Sequence, residues 1–158
     1  MGKIAFVFSG QGAQKAGMGK SFYDNNETVK DLFDRAETLR SGTLAQCFSG
    51  TAEELKETQN TQPCLYLTDL AAAIALSEAG IPVDGVAGFS LGELPALAFA
   101  GAYSHLDGFR LACIRGRAMA KAAAERIISR VKGLDKGPGR LSIISGNLID
   151  GESVRALI

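Results

Sequence analysis

Val83-Asp84-Gly85-Val86-Ala87-Gly88-Phe89-Ser90-Leu91-Gly92-Glu93 joins a short apolar run to a glycine-flanked serine and then to a helix-forming stretch. Its centre, Gly88-Phe89-Ser90-Leu91-Gly92, fits G-x-S-x-G. That pattern belongs to a sharp turn between a strand and a helix, where the serine backbone is strained and the neighbours two residues away must be small. The hydroxyl is then held out at the tip of a sheet. The helix that follows points its N-terminus at the serine, so backbone N–H groups there can stabilise an oxyanion. Val83 to Ala87 supplies the strand and Glu93 to Ala100 the helix, which makes Ser90 a candidate nucleophile. The five residues alone also fit a tight turn with a structural serine.

Working outward, Ile4 to Phe8 is a second apolar run without polar alternation, as expected of a strand buried on both faces of a parallel sheet. Ser9 to Gln14 is a glycine-rich loop. Val29, Leu32, Phe33, Ala36 and Leu39 recur at helical spacing and predict a helix over 27–40. Thr51 and Glu54 form a capping box that opens a short helix. Thr61 suits a cap and Pro63 a first turn, so a nearly all-apolar, buried helix is expected from there to about Ala79, before Gly80. Ser104 and Asp107 suggest a second capping box and a helix to about Arg130. Beyond a connector at Gly133–Gly139, Leu141–Ser145 is a candidate third strand and Glu152–Ile158 a last turn or two of helix. Strands separated by helices give an α/β fold class with a parallel sheet. The expected division is an α/β core over 1–130, with connector, remnant strand and helix over 131–158.

Lysine plus arginine equals aspartate plus glutamate at 17 each, which argues against broad capture of nucleic acid or an anionic membrane. Cys47, Cys64 and Cys113 are widely spaced, without metal-ligand rhythm, and read as reduced, buried side chains; no metal is expected. Met1-Gly2-Lys3 runs straight into the first strand, without a leader pattern, and no apolar run reaches membrane-spanning length. The expected location is cytoplasmic. The single histidine, His105, opens the helix after the one that leaves Ser90, so it is not expected to reach Ser90 as a base.

Several segments together resemble the malonyl-CoA:acyl-carrier-protein transacylases and the acyltransferase domains of fatty-acid and polyketide synthases. Phe6 to Gln14 resembles the family's opening strand and GQG-Q loop, Thr61-Gln62-Pro63-Cys64-Leu65 its TQPAL helix start, and Val83 to Glu93 with Ala96-Leu97 its GHSLGE elbow. Gly101-Ala102-Tyr103-Ser104 and Arg115-Gly116-Arg117-Ala118-Met119 resemble the helix after it. The match runs from residue 3 to about 120. It implies an α/β-hydrolase-like large subdomain and malonyl transfer from coenzyme A to an acyl carrier protein through an acyl-Ser90 ester. No cofactor is implied beyond the coenzyme A thioester as substrate. The backbone N–H groups of Gln11 and Leu91 would form the oxyanion hole, Arg115 would hold the malonyl carboxylate, and Gln62 would line the site. Without the resemblance, Arg115 reads rather as a member of a surface or core-edge ion pair.

Two departures stand out. Phe89 occupies the position of a histidine in the family's elbow, a histidine that is not the family's base. The family's ferredoxin-like small subdomain and the short G-x-x-H-S-type motif carrying its catalytic histidine are not recognisable here. Either the small subdomain is deleted, with Lys121–Arg126 and Ser142–Asn147 matching the helix and strand after the catalytic histidine, or Gly133–Asp135 and Pro138–Gly146 are pieces of that subdomain. The resemblance therefore leaves three readings open. The first is an acyltransferase impaired in this short chain. The second is a non-catalytic or partner-dependent remnant that binds acyl thioesters or a carrier protein, through self-association or a second chain completing the site. The third is a serine hydrolase, which would need an acid such as Asp107 or Asp135 and a histidine downstream of Ser90.

Overall fold

The computed structural model describes residues 2–132. The chain divides into two units, Met1–Arg126 and Ile127–Ile158, and the architecture below is that of the first. The expected connector, the third strand at 141–145 and the final helix at 152–158 lie outside the described residues.

Strand β1 (Ala5–Phe8) and strand β2 (Gly85–Gly88) pair in parallel, with Ala5 opposite Gly85 and Phe8 opposite Gly88. The ladder continues one step outward: Asp84 N–H donates to Ile4 O at 2.8 Å, and Ile4 N–H to the Asp84 carboxylate at 2.7 Å. Parallel neighbours require a long crossover. Helices α1 (Lys20–Asn25), α2 (Glu27–Leu39), α3 (Thr43–Ser49), α4 (Ala52–Lys56) and α5 (Thr58–Glu78) fill it. A single 3₁₀ turn, Ser90–Gly92, follows β2, and α6 (Glu93–Phe99) and α7 (His105–Val131) complete the order.

The sheet is not buried on both faces, contrary to the reading of β1. Phe6 and Phe8 pack with Ala73 of α5, Ala96 of α6 and the ring of Phe99, whereas Val7 is 77% exposed. Alternate side chains leave opposite faces of a strand, and among the described residues helices cover only the Phe6–Phe8 side. An apolar run without alternation cannot disclose that.

Helix α5 is the centre of the core, as its all-round apolar pattern implies. Leu65, Tyr66, Leu67 and Leu70 are fully enclosed by Val29, Phe33 and Ala36 of α2 and by Phe109 and Ala112 of α7. Enclosing a leucine or phenylalanine side chain contributes roughly 1.5–3 kcal/mol each. The helix begins three residues earlier than Thr61. Thr61 lies inside it and donates its hydroxyl to Leu55 O and Glu57 O, so Pro63 falls beyond the first turn. A proline there leaves the carbonyl four residues back without its helical donor. That carbonyl, Gln59 O, lies 3.5 Å from Arg40 Nη2, which supplies a substitute.

The capping box of Thr51 and Glu54 forms as expected, in both directions. At Ser104 the arrangement differs: Asp107 N–H donates to Ser104 Oγ at 3.1 Å, but the carboxylate takes the serine hydroxyl at 2.6 Å rather than the cap backbone. Aspartate is one methylene shorter than the glutamate of a full box. Helices α1 and α3 were not expected from the sequence. Each is a short helix entered from a left-handed glycine, Gly19 or Gly42, with too few residues to display a period.

Candidate active site

Ser90 has φ of +53°, the one positive value outside glycine among the described residues. Such a backbone costs roughly 1–3 kcal/mol and persists only where its surroundings impose it. The surroundings here are the end of β1. Phe89 N–H donates to Phe8 O at 3.1 Å, and Gly92 N–H closes the turn on Phe89 O at 2.9 Å. A Cβ on Gly92 would overlap Phe8 O and sit 2.7 Å from Ser9 O, and one on Gly88 would overlap the backbone of Gly92 and Glu93. The two glycines of G-x-S-x-G are thus required by backbone crowding. Leu91 is fully buried and roots the turn in the core, while Ser90 itself is exposed.

Arg115 reaches this serine from α7. Its Nη2 lies 3.3 Å from Ser90 Oγ, and its Nη1 donates to Gln62 Oε1 at 3.0 Å. Gln62 is fully buried, and its Nε2 faces Met119 Sδ at 3.3 Å, one turn along α7 from Arg115. Gly116 makes this approach possible, since a Cβ there would stand 2.9 Å from Thr58 O at the start of α5. Gln11 lies on an exposed turn, and its Nε2 donates to Thr58 Oγ1 at 3.1 Å. Ser90, Arg115 and Gln62 are therefore joined by hydrogen bonds, with Gln11 tied to the same end of α5 and Leu91 next to the serine in the turn. Thr58 and Met119 were not anticipated as neighbours of the site; nothing in their local pattern marks them. Phe89, in place of the family's elbow histidine, is 73% exposed and lays its ring against Gly10.

His105 lies elsewhere. It lines a hollow with Thr28, Asp31, Leu32 and Arg35 of α2 and Ile74 of α5, and burial holds its imidazole below the ordinary range. It precedes Arg115 by ten residues of continuous helix, a rise of roughly 15 Å. Among the described residues, Arg115 is the side-chain hydrogen-bond partner of Ser90 Oγ. A guanidinium donates and cannot accept a proton at ordinary pH.

Asp69 of α5 faces the first residue of the loop that follows β1. Both carboxylate oxygens accept Ser9 Oγ–H, at 3.0 and 3.2 Å. Burial pushes its pKa from the ordinary 3.8 up to about 6, against the opposing pull of the Ser9 hydrogen bond. A carboxyl raised in the folded state favours folding fully below about pH 3.8, and that contribution is lost as pH rises through about 6. The melting temperature of the protein, relative to Asp69→Asn, is therefore expected to fall between pH 4 and 7, as thermal denaturation in parallel buffers would show. A lone acid within an apolar stretch is the signal in the sequence that could have marked this residue, and it was passed over.

All three cysteines are buried and unbridged, as expected. The hydrogen bond with Cys64, together with burial, pushes the Cys47 thiol up, and burial does the same at Cys113. Among the described residues, no group of three or more His, Cys, Asp or Glu side chains is placed to hold a metal ion, and no helix is long and apolar enough to cross a membrane.

The profile of the family described as acyl transferase domain matches residues 5–136. The chain belongs to this family. Among relatives of this acyl transferase domain, the malonyl CoA-acyl carrier protein transacylase of Bacillus subtilis (strain 168) is 44% identical over 138 residues, covering 85% of this chain and 44% of that protein. The crystal structure of the malonyl-CoA:ACP transacylase of Synechocystis sp. PCC 6803 superposes with a TM-score of 0.71 at 40% identity, over 76% of this chain and 41% of that one. A type II polyketide acyl-carrier protein in complex with its malonyl-transacylase matches with a TM-score of 0.70 at 34% identity, over 77% of this chain and 40% of the matched chain. The helix-rich α/β architecture with its small parallel sheet is thus part of the acyltransferase fold. The chain spans less than half the length of these relatives.

Proposed function

We propose that the protein takes a malonyl group from coenzyme A onto Ser90 and passes it to the thiol of an acyl carrier protein. Ser90 Oγ attacks the thioester carbonyl, its proton passes to a base, the C–S bond breaks and coenzyme A leaves as the thiol. Attack by the carrier-protein thiol then reverses these steps and frees Ser90. The backbone N–H groups of Gln11 and Leu91 hold the oxyanion. The substrate itself is the coenzyme A thioester, so no further cofactor enters, and we place the reaction in the cytoplasm. The observation that carries this reading is the Arg115 guanidinium, fixed by buried Gln62 and reaching the strained serine. A planar two-pronged donor beside the nucleophile suits a substrate with a free carboxylate.

The absence of any base on Ser90 Oγ among the described residues, with His105 at the start of α7, ten residues of helix before Arg115, favours a second reading beside it. In that reading the site is impaired, or depends on a base from a second chain, because general-base help contributes about 10²–10⁴-fold in rate. A serine hydrolase built on Ser90 and His105 finds no support in this geometry.

Intact mass after incubation with malonyl-CoA, followed by peptide mapping, tests both readings. A slow malonyl adduct on Ser90 is expected, faster on mixing with a histidine-bearing relative if the base comes in trans. No adduct under any condition overturns the acyl-acceptor role. His105→Ala is expected to leave loading unchanged; abolition of loading would make His105 the base.

A further inference from the structure

We propose that Asp69 is a positioning residue for the oxyanion loop, anchoring Ser9 so that the Gln11 backbone N–H keeps its place beside Ser90. This rests on the reading of Ser90 as the acyl acceptor and of the Gln11 backbone N–H as an oxyanion donor. Asp69 stands in the apolar stretch of α5, flanked by buried Leu67, Leu70 and Ala73, at the edge of an apolar groove of about 290 Å³ along β1. A carboxylate so placed is costly unless it is hydrogen-bonded. Ser9 satisfies it through both oxygens.

Ser9 is the first residue after β1, two before Gln11. The loop it opens is pressed between the elbow and α5. On the elbow side the loop backbone meets the elbow backbone and the Phe89 ring: a Cβ on Gly92 would stand 2.7 Å from Ser9 O, and one on Gly10 would stand 2.8 Å from Phe89 O and 2.6 Å from the Phe89 ring. On the α5 side, side chains fasten it, Asp69 at Ser9 and Thr58 at Gln11. Steric contact keeps the loop from moving into the elbow but does not keep it from moving away; the Ser9–Asp69 and Gln11–Thr58 bonds oppose that second motion. An oxyanion donor works only within a few tenths of an ångström of its place, and loss of one donor costs about 10²–10³-fold in rate. A loop loosened at one end loses part of that.

The test compares Ser9→Ala, Asp69→Ala and Asp69→Asn in single-turnover loading of Ser90 by malonyl-CoA, with amide hydrogen exchange at Gly10 and Gln11 read by NMR. Ser9→Ala and Asp69→Ala are each expected to slow loading at saturating malonyl-CoA about tenfold, with the half-saturating concentration unchanged because Arg115 is untouched. The double variant should be no slower than either single one. Asp69→Asn keeps an acceptor oxygen and is expected to restore most of the rate. Exchange at Gly10 and Gln11 should quicken in the alanine variants and return toward wild type in Asp69→Asn. Unchanged rates, a loss confined to half-saturation, or failure of asparagine to rescue would each overturn the proposal. Should Asp69→Ala fail to fold, Ser9→Ala, which removes a single hydroxyl, decides alone. Should the wild-type protein take no malonyl, the acyl-acceptor reading falls by itself. The exchange data then decide whether Asp69 holds the loop, and unaltered exchange overturns that as well.

Discussion

Gly92→Ala is expected to lower the melting temperature by roughly 10 °C and to abolish acyl loading of Ser90. The added methyl group would collide with Phe8 O, Phe8 C and Ser9 O, all backbone atoms of β1 and the loop that follows it. A crowded side chain can change rotamer, whereas here β1 would have to separate from the elbow, breaking the Phe89 N–H to Phe8 O bond that holds the turn. Overpacking of a well-packed site costs about 1–3 kcal/mol, and the upper end applies where only backbone can give way. Gly85→Ala is the matched control. It lies on β2, seven residues before Gly92, and its Cβ would meet nothing within 4 Å. Thermal melts of both variants, with intact-mass loading, check the expectation. A Gly92→Ala protein that melts and loads like wild type would mean that the elbow does not need the close packing described.

The elbow was legible because its chemistry constrains neighbouring residues. A strained serine needs small flanking residues, a strand before it and a helix after it, and all are local. That Ile4–Phe8 and Val83–Ala87 are strands of a parallel sheet followed from two apolar runs separated by helical pattern; that they are direct neighbours is seen only in the structure. What stayed hidden was settled at long range. Whether Val7 is covered depends on which elements lie over the sheet, not on its neighbours in the chain. The start of α5 at Thr58 rather than Thr61 depends on Arg40 meeting the carbonyl that Pro63 leaves free, twenty-odd residues away in sequence. Of the site, Gln62 and Arg115 came from the family resemblance, since nothing in their own surroundings in sequence tells a substrate clamp from an ion pair. Ser9 and Asp69 were missed because they meet only once β1 has packed beside α5.

Arg115→Ala is expected to slow malonyl loading about 100-fold while changing acetyl loading only severalfold, because the acetyl group offers no carboxylate. Hydrogen bonds to charged groups contribute about 1.5–3 kcal/mol each, and a bidentate pair lies toward the top of that range before desolvation is subtracted. The substitution has a second consequence that must be separated from the first. Gln62 is fully buried and accepts Arg115 Nη1, so truncation leaves its amide oxygen short of a donor and lowers stability by about 1–3 kcal/mol. Any reduction in the folded fraction falls equally on both acyl donors, so the ratio of malonyl to acetyl loading isolates the carboxylate contact. Arg115→Lys sharpens the comparison. It keeps the positive charge but not the planar fork, and it should recover part of the malonyl preference. Single-turnover loading from malonyl-CoA and acetyl-CoA, followed by mass in all three proteins, gives that ratio directly. An equal loss for both donors in Arg115→Ala would make Arg115 a support for Gln62 and Ser90, and the preference for a free carboxylate would have to come from another group.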